Sequence, residues 1–187
     1  MILKEMKQKV LGLIEELKPT SPLLTDDDDL STKINDVTNQ VMFELARIKK
    51  IPKYCEIEVN EGDIIDFANI EKKCGYEVYQ VDAIKGVRVV SKARGTVYKA
   101  MENGVAEIEV FVYPERITSK TKDSYEFELS ADVLEIMPFG IAADLLKSDE
   151  SANFGNIYSN RYETMLNRLD TRYQMATVTI EGGVYLG

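Results

Sequence analysis

The 187-residue sequence contains no histidine and no tryptophan, and it contains only two cysteines. Without histidine the chain cannot build a Ser-His-Asp or Cys-His arrangement, and it lacks the commonest general base near neutral pH. Cys55 and Cys74 are not at CxxC spacing, and no glycine-rich phosphate loop occurs. Paired carboxylates that could cleave a glycosidic bond remain an alternative. We expect a protein that is not an enzyme, without catalytic, metal-binding or cofactor-binding residues.

Basic residues are also in the minority, 23 against 32 acidic residues, which gives a formal net charge of −9. Because phosphate binding depends on clustered lysine and arginine, this balance argues against sequence-specific binding of nucleic acid. No apolar run approaches the length that spans a bilayer, so we expect no membrane association. A core of this size needs no covalent staple, so the sequence predicts folding in the cytosol with both thiols free.

Both ends of the chain carry apolar residues at helical spacing. One stripe runs from Leu3 to Leu17 and a second from Leu30 to Ile48. Between them, Asp26 to Asp29 suggest calcium ligands, but the segment lacks the central glycine and closing glutamate of a calcium loop. A helix N-cap is therefore favoured there. Two further helices are predicted, one beginning at Ser130 and one over residues 151–172.

The middle of the chain has a period of two, which is typical of β-strands. The alternating or β-branched runs are YCEIEV, YEVYQVDAI, VRVV, GTVYKAM, VAEIEVFVY and YEFEL. Turn formers separate these runs, and Asn103-Gly104 is the strongest signal for a two-residue hairpin. Because no helical pattern lies between the runs, they favour a small antiparallel sandwich or barrel.

Together these patterns predict an α+β fold, in which a four-helix bundle-like core is interrupted by an antiparallel β-sandwich or barrel insertion. An extended C-terminal tail would follow. The predicted boundaries are residues 1–52 and 130–172 for the helical bundle, 53–129 for the β module, and 173–187 for the tail. An insertion is required because helices on either side of a strand block pack together only if the block returns the chain to its starting point.

The β module also contains a local basic cluster with tyrosines nearby: Arg88, Lys92, Arg94, Tyr76, Tyr79 and Tyr98. Such side chains could bind a single strand of nucleic acid by stacking and charge attraction. The alternative is that they are exposed strand charges beside half-buried tyrosines. In an acidic protein the second interpretation is favoured.

Residues 137–172 resemble the C-terminal helices of head–tail connector (adaptor or neck) proteins of tailed bacteriophages. In that family one helix often reads LPYxIAAxLLxxD, and the next has the form FxxxYxxxLxxL. The matching residues here are Met137-Pro138-Phe139, Ile141-Ala142-Ala143, Leu145-Leu146 and Asp149, then Phe154, Tyr158, Tyr162, Leu166 and Leu169. The paired N-terminal helices, the second reading LSTKINDVTNQVMFELARI, are also similar, so the resemblance covers the helical parts of the chain.

The resemblance implies a structural virion protein that forms a homo-oligomeric ring of about twelve subunits below the portal. Such a ring serves DNA passage and tail attachment. Its partners would be the portal protein and a further neck or tail protein. It would lie in the host cytoplasm during assembly and in the neck of the virion afterwards. The alternative function is a β-sandwich binding module for carbohydrate or protein on a virion or cell surface.

The C-terminal tail is strand-like and broken by glycine, so it is too short to fold alone. We expect it to become ordered on assembly by adding a strand to a neighbour's sheet. The predicted partner-binding residues are Tyr173, Met175, Val178, Ile180, Val184, Tyr185 and Leu186.

Overall fold

The computed structural model of the protein describes residues 1–17, 28–147 and 152–174. Within these ranges the helices are α1 (Leu3–Leu17), α2 (Asp28–Ile48), α3 (Phe67–Cys74), α4 (Ala131–Leu146) and α5 (Ala152–Gln174). The strands are β1 (Pro52–Val59), β2 (Ile64–Asp66), β3 (Val78–Lys85), β4 (Val89–Lys92), β5 (Val97–Ala100) and β6 (Gly104–Val112). The fold is therefore α+β, with the strands between α2 and α4.

Helix α4 is the centre of the helical part, because α1, α2 and α5 all pack against it. Its buried residues include Ile136, Met137, Ile141, Ala142 and Ala143, which point to different sides of the helix. A helix that is apolar all round is typical of an enclosed position. The prediction of a four-helix bundle-like core is wrong, because three helices surround a fourth instead of each contributing one stripe to a shared centre.

The segment after β6, residues 113–129, packs along the helices instead of forming the strand predicted at YEFEL. Ile117, Phe127 and Leu129 are buried in the helical core. The segment also holds the N-terminus, since the amide of Leu3 donates to the carbonyl of Tyr125 at 2.9 Å. Within this segment the described residues form only an isolated β-bridge, to Ile2.

A buried asparagine fixes this segment to α2. The Asn39 side-chain nitrogen donates to the carbonyl of Ile117 at 2.8 Å, and its Oδ1 accepts from the amide of Ile117 at 2.7 Å. One amide side chain thus satisfies both backbone groups of a buried residue that belongs to no helix or strand. Such groups are costly to bury without partners, so Asn39 makes the burial of Ile117 possible.

The six strands form two antiparallel sheets of three strands each. The first sheet has the order β1-β6-β3, and the second has the order β2-β5-β4. The chain crosses from one sheet to the other after β1, β2, β3 and β5, so among the described strands only β4 and β5 are both consecutive and paired. The predicted Asn103-Gly104 hairpin is wrong, because β5 and β6 lie in different sheets. The side chain of Asn103 instead accepts a hydrogen bond from the amide of Glu61 at 2.7 Å, joining two of these crossings.

The inner faces of the two sheets contribute to one apolar cluster. Ile57, Ile108 and Val110 come from the first sheet, and Ile65 and Ala100 come from the second. The predicted sandwich or barrel insertion is corrected accordingly: the described strands form two small sheets around a shared cluster, and they close no barrel.

Helix α3 was not predicted from the sequence, and it has a clear local cause. The Asp66 carboxylate caps its N-terminus by accepting from the amide of Asn69 at 2.8 Å, and Gly75 ends it in the left-handed conformation at φ 75°. Ile70 is fully buried and attaches the helix to the apolar cluster. Because α3 turns the chain back toward β1, Cys74 meets Cys55 at a Cα–Cα distance of 5.9 Å and forms a disulfide. The expectation of two free thiols is therefore wrong.

One end of the first sheet packs against α2. The Tyr79 hydroxyl donates to the carbonyl of Ala46 at 2.9 Å. The ring of Tyr113 lies 4.9 Å from the rings of both Phe43 and Tyr79, measured between centroids. These contacts join the strands to the helices and cover only that end of the sheet.

Two glycines in helices predict opposite effects of alanine. A Cβ at Gly140 of α4 would lie 2.8 Å from the Tyr162 ring and 3.0 Å from Val41, whereas a Cβ at Gly12 of α1 meets nothing within 4 Å. We expect Gly140→Ala to lower the free energy of unfolding by about 1–3 kcal/mol through overpacking. We expect Gly12→Ala to raise it by about 0.5–1 kcal/mol through helix propensity. Urea denaturation measures both, and shifts of the same sign would contradict this packing.

Candidate assembly surfaces

The outer face of the first sheet is acidic. The register pairs Tyr54 with Glu109, Glu56 with Glu107, and Glu58 with Val105. Because side chains alternate along a strand, all six lie on the face opposite the apolar cluster. We define these six residues, with Lys85 of β3 beside Glu107, as the acidic sheet face.

This face is exposed to solvent away from the end that packs on α2. Tyr54 is 72% exposed and Val105 is 44% exposed. The Tyr54 hydroxyl donates a hydrogen bond to the Glu109 carboxylate at 2.8 Å, and this bond raises the pKa of Tyr54 above its ordinary value. A shallow cleft of about 460 Å³ lies here, lined in part by Tyr54, Glu56, Lys85 and Glu107. The arrangement offers carboxylates and a phenol to a partner, with no cation ion-paired to Glu56 or Glu107 among the described residues.

The outer face of the second sheet is basic and partly apolar. The register places Ile64, Lys99 and Val90 side by side across β2, β5 and β4. Val97 and Lys92 form the neighbouring pair. Ile64 is 43% exposed and Val90 is 48% exposed. We define these five residues, with Arg88 at the end of the sheet, as the basic sheet face. Asp66 pairs with Val97 from the other side and lies on the same face, where its carboxylate caps α3.

The tyrosines near the predicted basic cluster do not lie on this face. Tyr98 alternates with Lys99, so it points to the inner side, where its hydroxyl donates to the carbonyl of Gly95 at 2.9 Å. The Tyr79 hydroxyl is hydrogen-bonded to α2. The Lys53 ammonium lies over Tyr76, 5.0 Å from the centroid of the Tyr76 ring. A stacking surface for nucleic acid is therefore not assembled from these residues.

The chain matches no protein-family model and no curated protein. No helix in the described ranges is long and apolar enough to cross a membrane.

The residues that carry the resemblance to connector proteins lie mostly inside the pair of helices α4 and α5. Tyr158 and Tyr162 are buried against α4, with the Phe139 and Tyr158 rings 6.3 Å apart. The Tyr158 hydroxyl continues to α1, where it donates to the carbonyl of Leu13 at 2.7 Å. Asp149 lies outside the described residues. The motif therefore describes how the helices pack, and its buried residues do not form a contact surface.

The shifted pKa values near the helices have structural causes. Burial raises the pKa of Tyr125 to about 12, and burial raises the pKa of Tyr162 as well. Burial alone would raise the pKa of Asp132, but hydrogen bonds from Ser130 and Lys49 hold it below its ordinary value. These groups do not converge on a cleft. Across the described ranges no three histidine, cysteine or acidic residues come together as metal ligands.

The predicted partner-binding tail is not described by the structure. Met175, Val178, Ile180, Val184, Tyr185 and Leu186 all lie outside the described residues. Helix α5 continues to Gln174, so the backbone of Tyr173 belongs to its last turn. The prediction that this segment binds partners stays a prediction.

Arg88 and Lys92 of the basic sheet face were named from the sequence, but the acidic sheet face was missed. The alternating glutamates of YCEIEV and VAEIEVFVY indicated that each strand has a polar side. The signal that was missing is the pairing of β1 with β6, which sets Glu56 beside Glu107. The sequence alone does not show which distant strands pair. It therefore could not show that the glutamates of β1 and β6 lie on one face.

Proposed function

We propose that the protein is a structural virion component, a head–tail connector subunit that forms a ring below the portal for DNA passage and tail attachment. The observation that carries the proposal is the α4–α5 packing. The connector-like motif residues Ile141, Ala143, Tyr158 and Tyr162 are buried, and all four lie in these two helices. The residues that resemble the connector family thus belong to one packed pair of helices.

Two physical features suit this role. Helices from both ends of the chain meet on α4, so residues 175–187 leave a helix that is anchored in the core. A partner that binds this tail would therefore be coupled to a rigid body. The formal charge of −9 also suits the wall of a channel that lets DNA pass without gripping it.

Affinity purification from lysing source cells tests the proposal. The tag is placed at Met1 so that the C-terminal tail stays free, and co-purified proteins are identified by mass spectrometry. We expect stoichiometric recovery of a portal protein and of a second neck or tail protein. Recovery of the chain with no virion component, from cells that release virions, would refute the connector function.

The tail provides a second prediction. Deleting residues 175–187 is expected to change the free energy of unfolding by less than about 1 kcal/mol, because every buried core residue of the described part of the chain precedes Gln174. Portal co-purification is expected to fall at least about tenfold, through loss of the added strand. The matched control keeps the full length and replaces Val178 and Ile180 with serine. Portal co-purification by this variant should fall similarly if these side chains make the contact. A truncated chain that no longer unfolds cooperatively would contradict the prediction.

One observation favours a second candidate function, a β module that binds carbohydrate or protein on a virion or cell surface. The cleft beside the 72% exposed Tyr54 offers an aromatic ring, with carboxylates and Lys85 as hydrogen-bonding groups. Glycan-array binding that is lost in Tyr54→Ala would support this function. Absence of glycan binding by the wild type would remove the carbohydrate part of it.

A further inference from the structure

The acidic and basic sheet faces lie on different sides of the β module. Each is the outer face of its own sheet, and the inner faces of both sheets share one apolar cluster. The two faces therefore point away from the same interior. A single copy cannot bring its own two faces into contact without separating the strands from that cluster.

Each face combines exposed apolar side chains with charge that is mainly of one sign; the exceptions are Lys85 on the acidic face and Asp66 on the basic face. Tyr54 and Val105 lie among glutamates, and Ile64 and Val90 flank Lys99. Exposed large apolar side chains grouped with charged residues are typical of a contact surface. Within the described residues, Lys92 and Lys99 have no ion-pair partner, and neither do Glu56 and Glu107, so the charges of both faces are available to a partner.

We propose that the acidic sheet face of one copy docks on the basic sheet face of a second copy. The inference rests on the proposed ring and names its lateral contact. A contact between two different faces is heterologous, so each subunit gives one face and receives the other. Repetition of such a contact closes into a ring when the rotation between subunits allows it.

The area of this contact assigns it a role. Three strands about 4.8 Å apart present a face of roughly 300 Å², against about 800 Å² per partner in a typical stable interface. The paired faces therefore set the order and orientation of neighbouring subunits more than the total affinity. Because the attraction is between exposed charges, it should weaken as salt shortens the screening length.

Charge reversal tests the contact on the full-length chain. Sedimentation velocity at about 100 µM protein should detect oligomers of the wild type at about 20 mM salt and monomers at about 500 mM. Glu56→Lys with Glu107→Lys makes both faces basic, and Lys92→Glu with Lys99→Glu makes both acidic. Each double variant alone should associate at least about tenfold more weakly, because like charges now meet. An equimolar mixture of the two variants should associate again, since each supplies the face that the other lacks.

Matched controls carry the same changes of net charge elsewhere on the surface. Glu135→Lys with Glu163→Lys, and Lys120→Glu with Lys122→Glu, alter exposed residues outside both faces. They should associate like the wild type, and all variants should keep the wild-type circular dichroism and unfolding transition. A variant that loses them is replaced by the neutral Glu→Gln or Lys→Gln pair, which should weaken association less.

Three results would overturn the proposed contact: wild-type monomers at low salt, reversed variants that associate like the wild type, or a mixture no stronger than its components. The outcome is separable from that of the proposed function. Portal recovery without an effect of charge reversal would leave the connector function and remove this contact. Charge-dependent association without any virion partner would support this contact and remove the connector function.

Discussion

Replacing Asn39 with leucine is expected to lower the free energy of unfolding by about 2–5 kcal/mol. The substitution preserves size and burial, but it leaves both the amide and the carbonyl of Ile117 without their partner. Each unsatisfied buried group costs about 1–3 kcal/mol. Urea denaturation gives the stability change. Hydrogen exchange adds a local readout, because the Ile117 amide should lose its protection.

The matched control for this prediction is Thr38→Val on the same helix. Thr38 is fully buried, and its hydroxyl has no hydrogen-bond partner among the described residues. Removing an unpartnered buried hydroxyl is expected to be neutral or slightly stabilising. Equal losses in the two variants would mean that both side chains act only by filling space, and that the Asn39–Ile117 hydrogen bonds contribute nothing.

Loss of the disulfide should have an effect of similar size. In the chain-entropy account, a cross-link between residues 19 positions apart stabilises the fold by about 3 kcal/mol. The double variant Cys55→Ser with Cys74→Ser is therefore expected to melt about 6–12 °C lower than the oxidised wild type. The loss should be local at first, with faster hydrogen exchange in β1 and α3 than in α4.

Reducing agent supplies the internal control for the disulfide. It should lower the melting temperature of the wild type and leave the double variant unchanged. Thiol titration of the unfolded wild type should find no free thiol before reduction and two afterwards. Two reactive thiols in protein that was purified without reductant would contradict the bond.

Local patterns predicted the elements well, since the stripes at Leu3–Leu17 and Leu30–Ile48 and the alternation of YCEIEV and VAEIEVFVY all lie in helices or strands of the expected type. Helix α3 was missed because it is short and buries only Ile70, so it has too few residues to display a period. The disulfide was missed for the same reason. Only the path of α3 brings Cys74 back to Cys55, and the linear spacing of the two cysteines says nothing of that path.

The arrangement of the elements was predicted less well. The predicted helical bundle requires a single apolar face on α4, although ten of its sixteen residues are buried and the run around Pro138 leaves no polar side in its middle. Reading that run as apolar all round would have predicted an enclosed helix instead of a bundle member. The pairing of β1 with β6 could not be deduced, because strand partners distant in sequence depend on tertiary packing and not on local propensity.

The crossing of the chain between the two sheets has a consequence for synthesis of the protein. Among the described strands β1 pairs only with β6, and four other strands and a helix are made between them. At a synthesis rate of about 5–20 residues per second, β1 remains unpaired for several seconds before β6 has been made. An unpaired strand is a template for aggregation, and charged side chains along it suppress that pairing. Glu56 and Glu58 thus protect the nascent chain before they contribute to any surface of the folded one.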